Sequence, residues 1–220
     1  MSLLFLLTDE LRGYYRSKTM MALWIGLPAI VLIIKAFNPE IEELPVTMLA
    51  SLLVTSMGGT LSAVMLATSI SAEMKQRVYD LYLIRPVKRV ELMLSKYLAV
   101  LLCLLVAVAI AVTMGLLWDY SSARFSMDLV IISLRDALVL TMFMLAFSCS
   151  VGVFIGLNTD SVLVAAILSI YVGGQMSALP LLMTLFITWL DPVVVTGVIS
   201  TAATALVLAI SGLLFERRQL

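Results

Sequence analysis

The sequence contains no histidine, two cysteines, and charge on only 13% of its 220 residues. Without histidine it cannot build a zinc hydrolase of the H-E-x-x-H type, nor a Ser–His intramembrane protease. No G-x-x-x-x-G-K-[ST] stretch occurs, so the chain brings no phosphate-binding loop of its own for ATP. No catalytic residues and no bound cofactor are expected of it. Cys103 and Cys149 sit deep in apolar runs. They read as small core hydrophobes rather than a disulfide or a metal pair. No carboxylate lies deep in an apolar run, which leaves nothing for a proton relay or an ion-coupling site. The first apolar stretch, Leu3 to Leu7, is followed by Asp9 and Glu10 and is too short for a secretory signal.

What is present in quantity is hydrocarbon. The chain is 62% hydrophobic with a mean hydropathy of +1.12. Soluble domains are about half apolar and about a quarter charged. Such a chain cannot cover its surface with polar groups and needs lipid. A bilayer core takes about 20 apolar residues of helix. Six runs qualify, at about 19–37, 46–70, 97–118, 137–157, 161–177 and 193–215. Residues 1–220 thus read as one all-α integral membrane domain of six transmembrane helices.

Orientation follows from lysine and arginine in the loops. Arg12, Arg16 and Lys18 precede the first run. Lys75, Arg77, Arg85, Lys88, Arg89 and Lys96 stand between the second and third, and Arg217 and Arg218 follow the last. Only Lys35, Arg124 and Arg135 fall on the other face. Both termini are therefore expected in the cytoplasm of a multi-pass cell-membrane protein. Arg135 and Asp136 read as an ion pair or headgroup contact at the outer interface. Before the first run, Leu4, Leu7, Leu11 and Tyr14 recur at helical spacing. This is an amphipathic helix suited to the membrane interface, or an extension of the first span.

The fifth run is irregular. Gly173, Gly174 and Gln175 interrupt it, and Pro180 does so again. A broken helix followed by a re-entrant segment at 181–190 is expected. Irregular backbone at membrane depth is tolerated where it is buried in protein or lines a cavity. On the second run Ser51, Thr55, Gly58 and Ser62 form a small, polar stripe. It reads as a helix–helix contact or as the wall of a translocation path.

The segment 71–96 gathers nine of the chain's charges between two apolar runs. From Glu73 to Leu83 it holds neither glycine nor proline, so a short helix can run until Pro86 stops it. Val78, Leu81, Tyr82 and Arg85 fall on one edge of that helix. An apolar, aromatic and arginine edge suits docking on a soluble partner. A loop that only sets topology and binds anionic lipid is the other reading.

This loop resembles that of the ABC-2 type permeases, the membrane subunits of a class of ABC transporters. The resemblance rests on Glu73, on Val78-Tyr79-Asp80-Leu81, on Pro86-Val87-Lys88-Arg89, and on Glu91-Leu92 with Lys96. It extends to the six-run plan, the amphipathic arm, the irregular fifth run and the FERRQL tail. Arg77 stands where that family usually has glycine, and Tyr82 where leucine is common. The resemblance implies a cytoplasmic coupling helix between spans 2 and 3, with Glu73, Val78, Leu81, Tyr82, Arg85 and Pro86 docking an ATPase. It implies two cytoplasmic P-loop ATPase subunits carrying ATP and magnesium, and a second permease copy, identical or not. The function implied is transport, in the export direction, with lipids as neighbours and no nucleic-acid partner. An ATP-independent membrane scaffold or lipid-interacting protein is the alternative from the residues alone.

Overall fold

The computed structural model describes residues 3–15, 17–37, 46–76, 89–122, 127–176, 179 and 192–217. Among these the secondary structure is helical throughout. The elements are α1 (Leu3–Tyr15), α2 (Lys18–Phe37), α3 (Val46–Lys75), α4 (Arg89–Ser122), α5 (Met127–Asn158), α6 (Val162–Leu168) and α7 (Pro192–Arg217). A π-helical turn at Ser169–Gly173 continues α6.

Among the described residues, four stretches are long and apolar enough to cross a membrane: Leu53–Lys75 in α3, Val90–Tyr120 in α4, Leu134–Asn158 in α5 and Val193–Phe215 in α7. Met20–Ile30 and Val162–Met176 are shorter apolar stretches. The molecule has the character of a membrane protein. Large side chains such as Ile25, Leu117, Leu163, Tyr171 and Val198 stand exposed on its outside. In water so much exposed hydrocarbon would be costly; against lipid it is not.

Three helices run past their apolar stretches. The third apolar run opens at residue 97, yet α4 starts at Arg89; α3 continues to Lys75, and α5 begins at Met127. At the end of α3 and the start of α4 the charged residues are Glu73, Lys75, Arg89, Glu91 and Lys96, all good helix formers, and a helix need not stop where the hydrocarbon does.

α1 does not extend α2. The chain leaves helical geometry at Ser17, and α1 turns back to pack on α4. Leu6 is buried, Leu11 and Tyr14 pack on the core, and Phe5 and Tyr15 point away from it. The Tyr15 ring meets Trp24 of α2 edge-on, with centroids 5.3 Å apart. The Trp24 indole donates to the Cys103 carbonyl at 3.1 Å, fixing α2 against α4.

The core sits where α3, α4 and α5 meet, around Leu66, Ile70, Val100, Leu104, Val108, Leu145 and Val153. α3 and α5 approach each other closely. A Cβ built on Gly152 would lie 2.7 Å from Ala63 Cα, and one on Gly156 would lie 3.0 Å from Ala67 Cα. Gly152 and Gly156 form a G-x-x-x-G pair, whose missing side chains let backbones touch. Apolar helices in lipid gain little from a hydrophobic effect between them, so this close packing supplies much of the attraction.

The interruption expected at 173–175 is not a break. The backbone stays helical through Met176, and one turn widens to π geometry. Gly173 and Gly174 face α3: an added Cβ would lie 2.6 Å from Ala63 Cβ and 2.8 Å from Thr60 Cγ2. These glycines serve close contact, and Gln175 is exposed. Pro180 and the re-entrant segment at 181–190 lie outside the described residues.

Candidate functional site

The ends of α3, α5 and α7 and the start of α4 share one end of the bundle. Ser71 Oγ donates to the Thr159 carbonyl at 3.0 Å, tying α3 to the chain just beyond α5. Gly212 of α7 lies beside Val90 of α4. At this end the sequence places both stems of the charged loop, and here the structure buries a cation.

Lys96 Nζ lies 2.7 Å from Glu10 Oε1 and 2.7 Å from Glu73 Oε1. The lysine side chain is 4% exposed, and the two carboxylates are 23% and 24% exposed. One ammonium therefore joins α1, α3 and α4. A buried cation needs both a counter-charge and hydrogen-bond acceptors, and these carboxylates supply both. Ser69 Oγ donates to Glu73 Oε1 at 3.4 Å, and Tyr14 Oη donates to Ser69 Oγ at 3.4 Å. Burial pushes the Tyr14 phenol above its ordinary value of 10.0, against the opposing pull of Lys96.

Glu73, expected on a docking loop, is thus held at the end of α3, facing inward. The reason is local: α3 persists to Lys75, which carries Glu73 into reach of Lys96. Val78, Leu81, Tyr82, Arg85 and Pro86 lie outside the described residues. The clamp itself was missed in the sequence. Its signal is depth: Glu73 closes one apolar run, Lys96 opens the next, and Glu10 sits on the amphipathic arm at the same level.

The small, polar stripe of α3 is a packing face. Thr55 Oγ1 donates to Thr141 Oγ1 at 2.9 Å, and both are buried. A Cβ on Gly58 would meet Leu145 at 3.4 Å. Ser62 Oγ donates to the Gly59 carbonyl at 2.7 Å, and Ser148 Oγ of α5 reaches the same carbonyl at 2.5 Å. Thr55, Gly58 and Ser62 therefore lie along α5. Small residues allow two helices to approach, and their hydroxyls bond across or back to the helix. Ser51 lies in α3, but its side chain is outside the described part.

Arg135 bonds the adjacent Asp136 at 2.9 Å through Nε, with the arginine side chain 74% exposed. This pair is at the surface of α5 and forms no buried charge site. Among the described residues no three His, Cys, Asp or Glu side chains gather as a metal-binding set.

A family model described as a protein of unknown function, DUF2705, matches residues 44–190. The match runs from α3 through α6. It includes Glu73, Lys96 and the Gly152–Gly156 contact, and excludes α1, α2 and α7. Comparison with curated proteins finds no match. With more than half its length matched, the chain belongs to the DUF2705 family.

Proposed function

We propose that the chain is the permease subunit of an ABC transporter, driven by a separate P-loop ATPase. In this reading six helices cross the membrane. α2 has 20 residues, about 30 Å of helix, which matches a bilayer core. The helix 162–176 and the segment after it form the fifth crossing with its re-entrant part. Both termini and the charged end of the bundle face the cytoplasm, as the lysine and arginine bias requires.

The observation that supports this best is the Lys96 clamp. It ties Glu73, just before residues 77–88, to α4 just after them, and both to α1. A loop with such stems can pass a push from a soluble partner into two membrane helices and an interfacial one. A loop that served only as a topology signal would not need a buried cation between its stems. The ATP-independent scaffold, the other reading, gives no reason for that arrangement.

The test is affinity purification of the tagged chain from its native membranes, with ATP hydrolysis measured on the complex and on the chain alone. A P-loop ATPase is expected to co-purify stoichiometrically, and the bare chain to hydrolyse no ATP. Hydrolysis by the chain freed of other proteins contradicts the proposal, as does its isolation without any ATPase.

A further inference from the structure

A cavity of about 490 Å³ opens between α4, α5 and α7, with Leu101, Phe143, Ala146 and Leu208 in its wall. Its size is within the range of small-molecule sites, roughly 300–1,000 Å³. Met142, Thr201 and Ala205 also belong to the wall and are exposed, so the cavity opens sideways out of the bundle. The mouth is continuous with the lipid-facing surface of α7. Val198 and Leu206, close to Thr201 and Ala205 in the helix, are 63% and 59% exposed.

The wall selects hydrocarbon. No charged side chain lines it. The oxygens of Ser200 and Thr204 are buried in the protein, so both residues present carbon to the cavity. Tyr97 gives its proton to the Ala146 carbonyl at 3.1 Å, and Thr201 gives its own to the Gly197 carbonyl at 2.8 Å. A polar occupant would be left unpaired there, at a cost. Water is no better placed, since a buried water needs about two to four polar partners. An empty space is unfavourable too, because wall atoms that face a void forfeit their dispersion contacts.

Depth names the hydrocarbon. The α7 part of the wall, Ser200 to Leu208, lies about 10 to about 22 Å along the apolar stretch that starts at Val193, at about 1.5 Å per residue. In a core about 30 Å thick this is the middle of the membrane, the level of the methyl ends of phospholipid chains. We propose that the cavity holds one acyl chain of a bilayer phospholipid, entering between Met142 and Ala205 with its methyl end innermost. Gly212 brings α7 beside Val90 of α4 at the charged end of the bundle. In the middle of the membrane the acyl chain takes over that contact. The proposal rests on these helices lying in a bilayer and not on the ATPase reading.

Photoreactive phospholipids test it on the intact chain in vesicles. One carries a diazirine near the methyl end of an acyl chain, and the other carries it beside the ester. After photolysis, the methyl-end probe is expected to label Leu101, Phe143 and Leu208 as strongly as Leu206, which faces bulk lipid at the same level. The ester-side probe is expected to label none of the four. Ala205→Phe puts a ring at the mouth; label on Leu101 and Phe143 should be lost and label on Leu206 kept. A photoreactive alkane without a headgroup separates a lipid chain from a free hydrocarbon. Wall labelling by the alkane but not by the methyl-end lipid would assign the cavity to a free hydrocarbon and overturn the proposal. A wall unlabelled by the methyl-end lipid overturns it whatever happens at Leu206. Wall labelling unchanged in a folded Ala205→Phe protein overturns it as well. The probe comparison on the parent chain needs no variant, so the test stands if Ala205→Phe misfolds.

Discussion

Lys96 and Glu73 stand 2.7 Å apart across 23 residues of sequence, and the helices that carry them, α3 and α4, frame the most charged part of the chain. The second carboxylate, Glu10, brings in the N-terminal helix at the same distance. Removing one partner of a buried charge pair costs about 3 to 5 kcal/mol, because the remaining charge is left uncompensated. Lys96→Met leaves two neighbouring carboxylates with no cation between them and is expected to destabilise the fold by that order. Glu10→Gln keeps Glu73 on the lysine and should cost markedly less. Thermal unfolding in detergent checks the ranking. Equal effects of the two variants would contradict a shared, central lysine.

The glycines are predicted to divide sharply. Gly152→Ala puts a Cβ against the Ala63 backbone, which cannot yield as a flexible side chain would. Overpacking of this kind costs about 1 to 3 kcal/mol. Gly13→Ala, with nothing within 4 Å of the new Cβ, removes a glycine from the last turn of α1 and should stabilise by up to about 1 kcal/mol. Unfolding midpoints of the two variants are expected to move in opposite directions.

The existence of the helices was legible, because an apolar run of span length has few alternatives in lipid. The ends of the helices were less so: Glu91 and Lys96 look like loop charges, yet they continue α4 inward past its apolar run. The stripe of Thr55, Gly58 and Ser62 was legible as small and polar, but only the position of Thr141 and Leu145 decides that it packs. Gly173 and Gly174 read as a break because glycine carries no helix preference. What fixes them is the neighbouring surface of Ala63 and Thr60, which lies more than 100 residues away. The clamp is of the same kind: three charges far apart in sequence meet because the amphipathic arm folds back on α4.

Tyr14 gives the docking of α1 a pH dependence. Its folded-state value is raised by burial, so the folded state holds the phenolic proton more tightly than the free chain. That contribution is fully present below about pH 10, the ordinary phenol value, and is lost as pH rises beyond it. Trp24 emission, which senses the Tyr15 contact, should change more steeply above about pH 10 in the parent than in Tyr14→Phe. Superimposable curves would remove the phenol from the account.

Topology is open to labelling with little background, since Cys103 and Cys149 are both buried and free. Cysteines introduced at Glu42 and Ser122 are expected to react with an impermeant maleimide added outside sealed cells. Cysteines at Lys75 and Arg217 are expected to stay silent until the membrane is opened. Labelling at Lys75 from outside would invert the orientation.

The proposal that residues 77–88 dock an ATPase is tested most directly by co-purification of that subunit with loop variants. Tyrosine and arginine at an interface centre typically contribute 2 kcal/mol or more. Tyr82→Ala and Arg85→Ala are therefore expected to weaken capture of the ATPase about tenfold or more. Lys88→Ala, a rim charge, should have little effect, and all three variants should insert and unfold as the parent does. Capture undiminished in both Tyr82→Ala and Arg85→Ala, with transport at the parent's level, would contradict the docking edge and leave the loop as a topology signal alone.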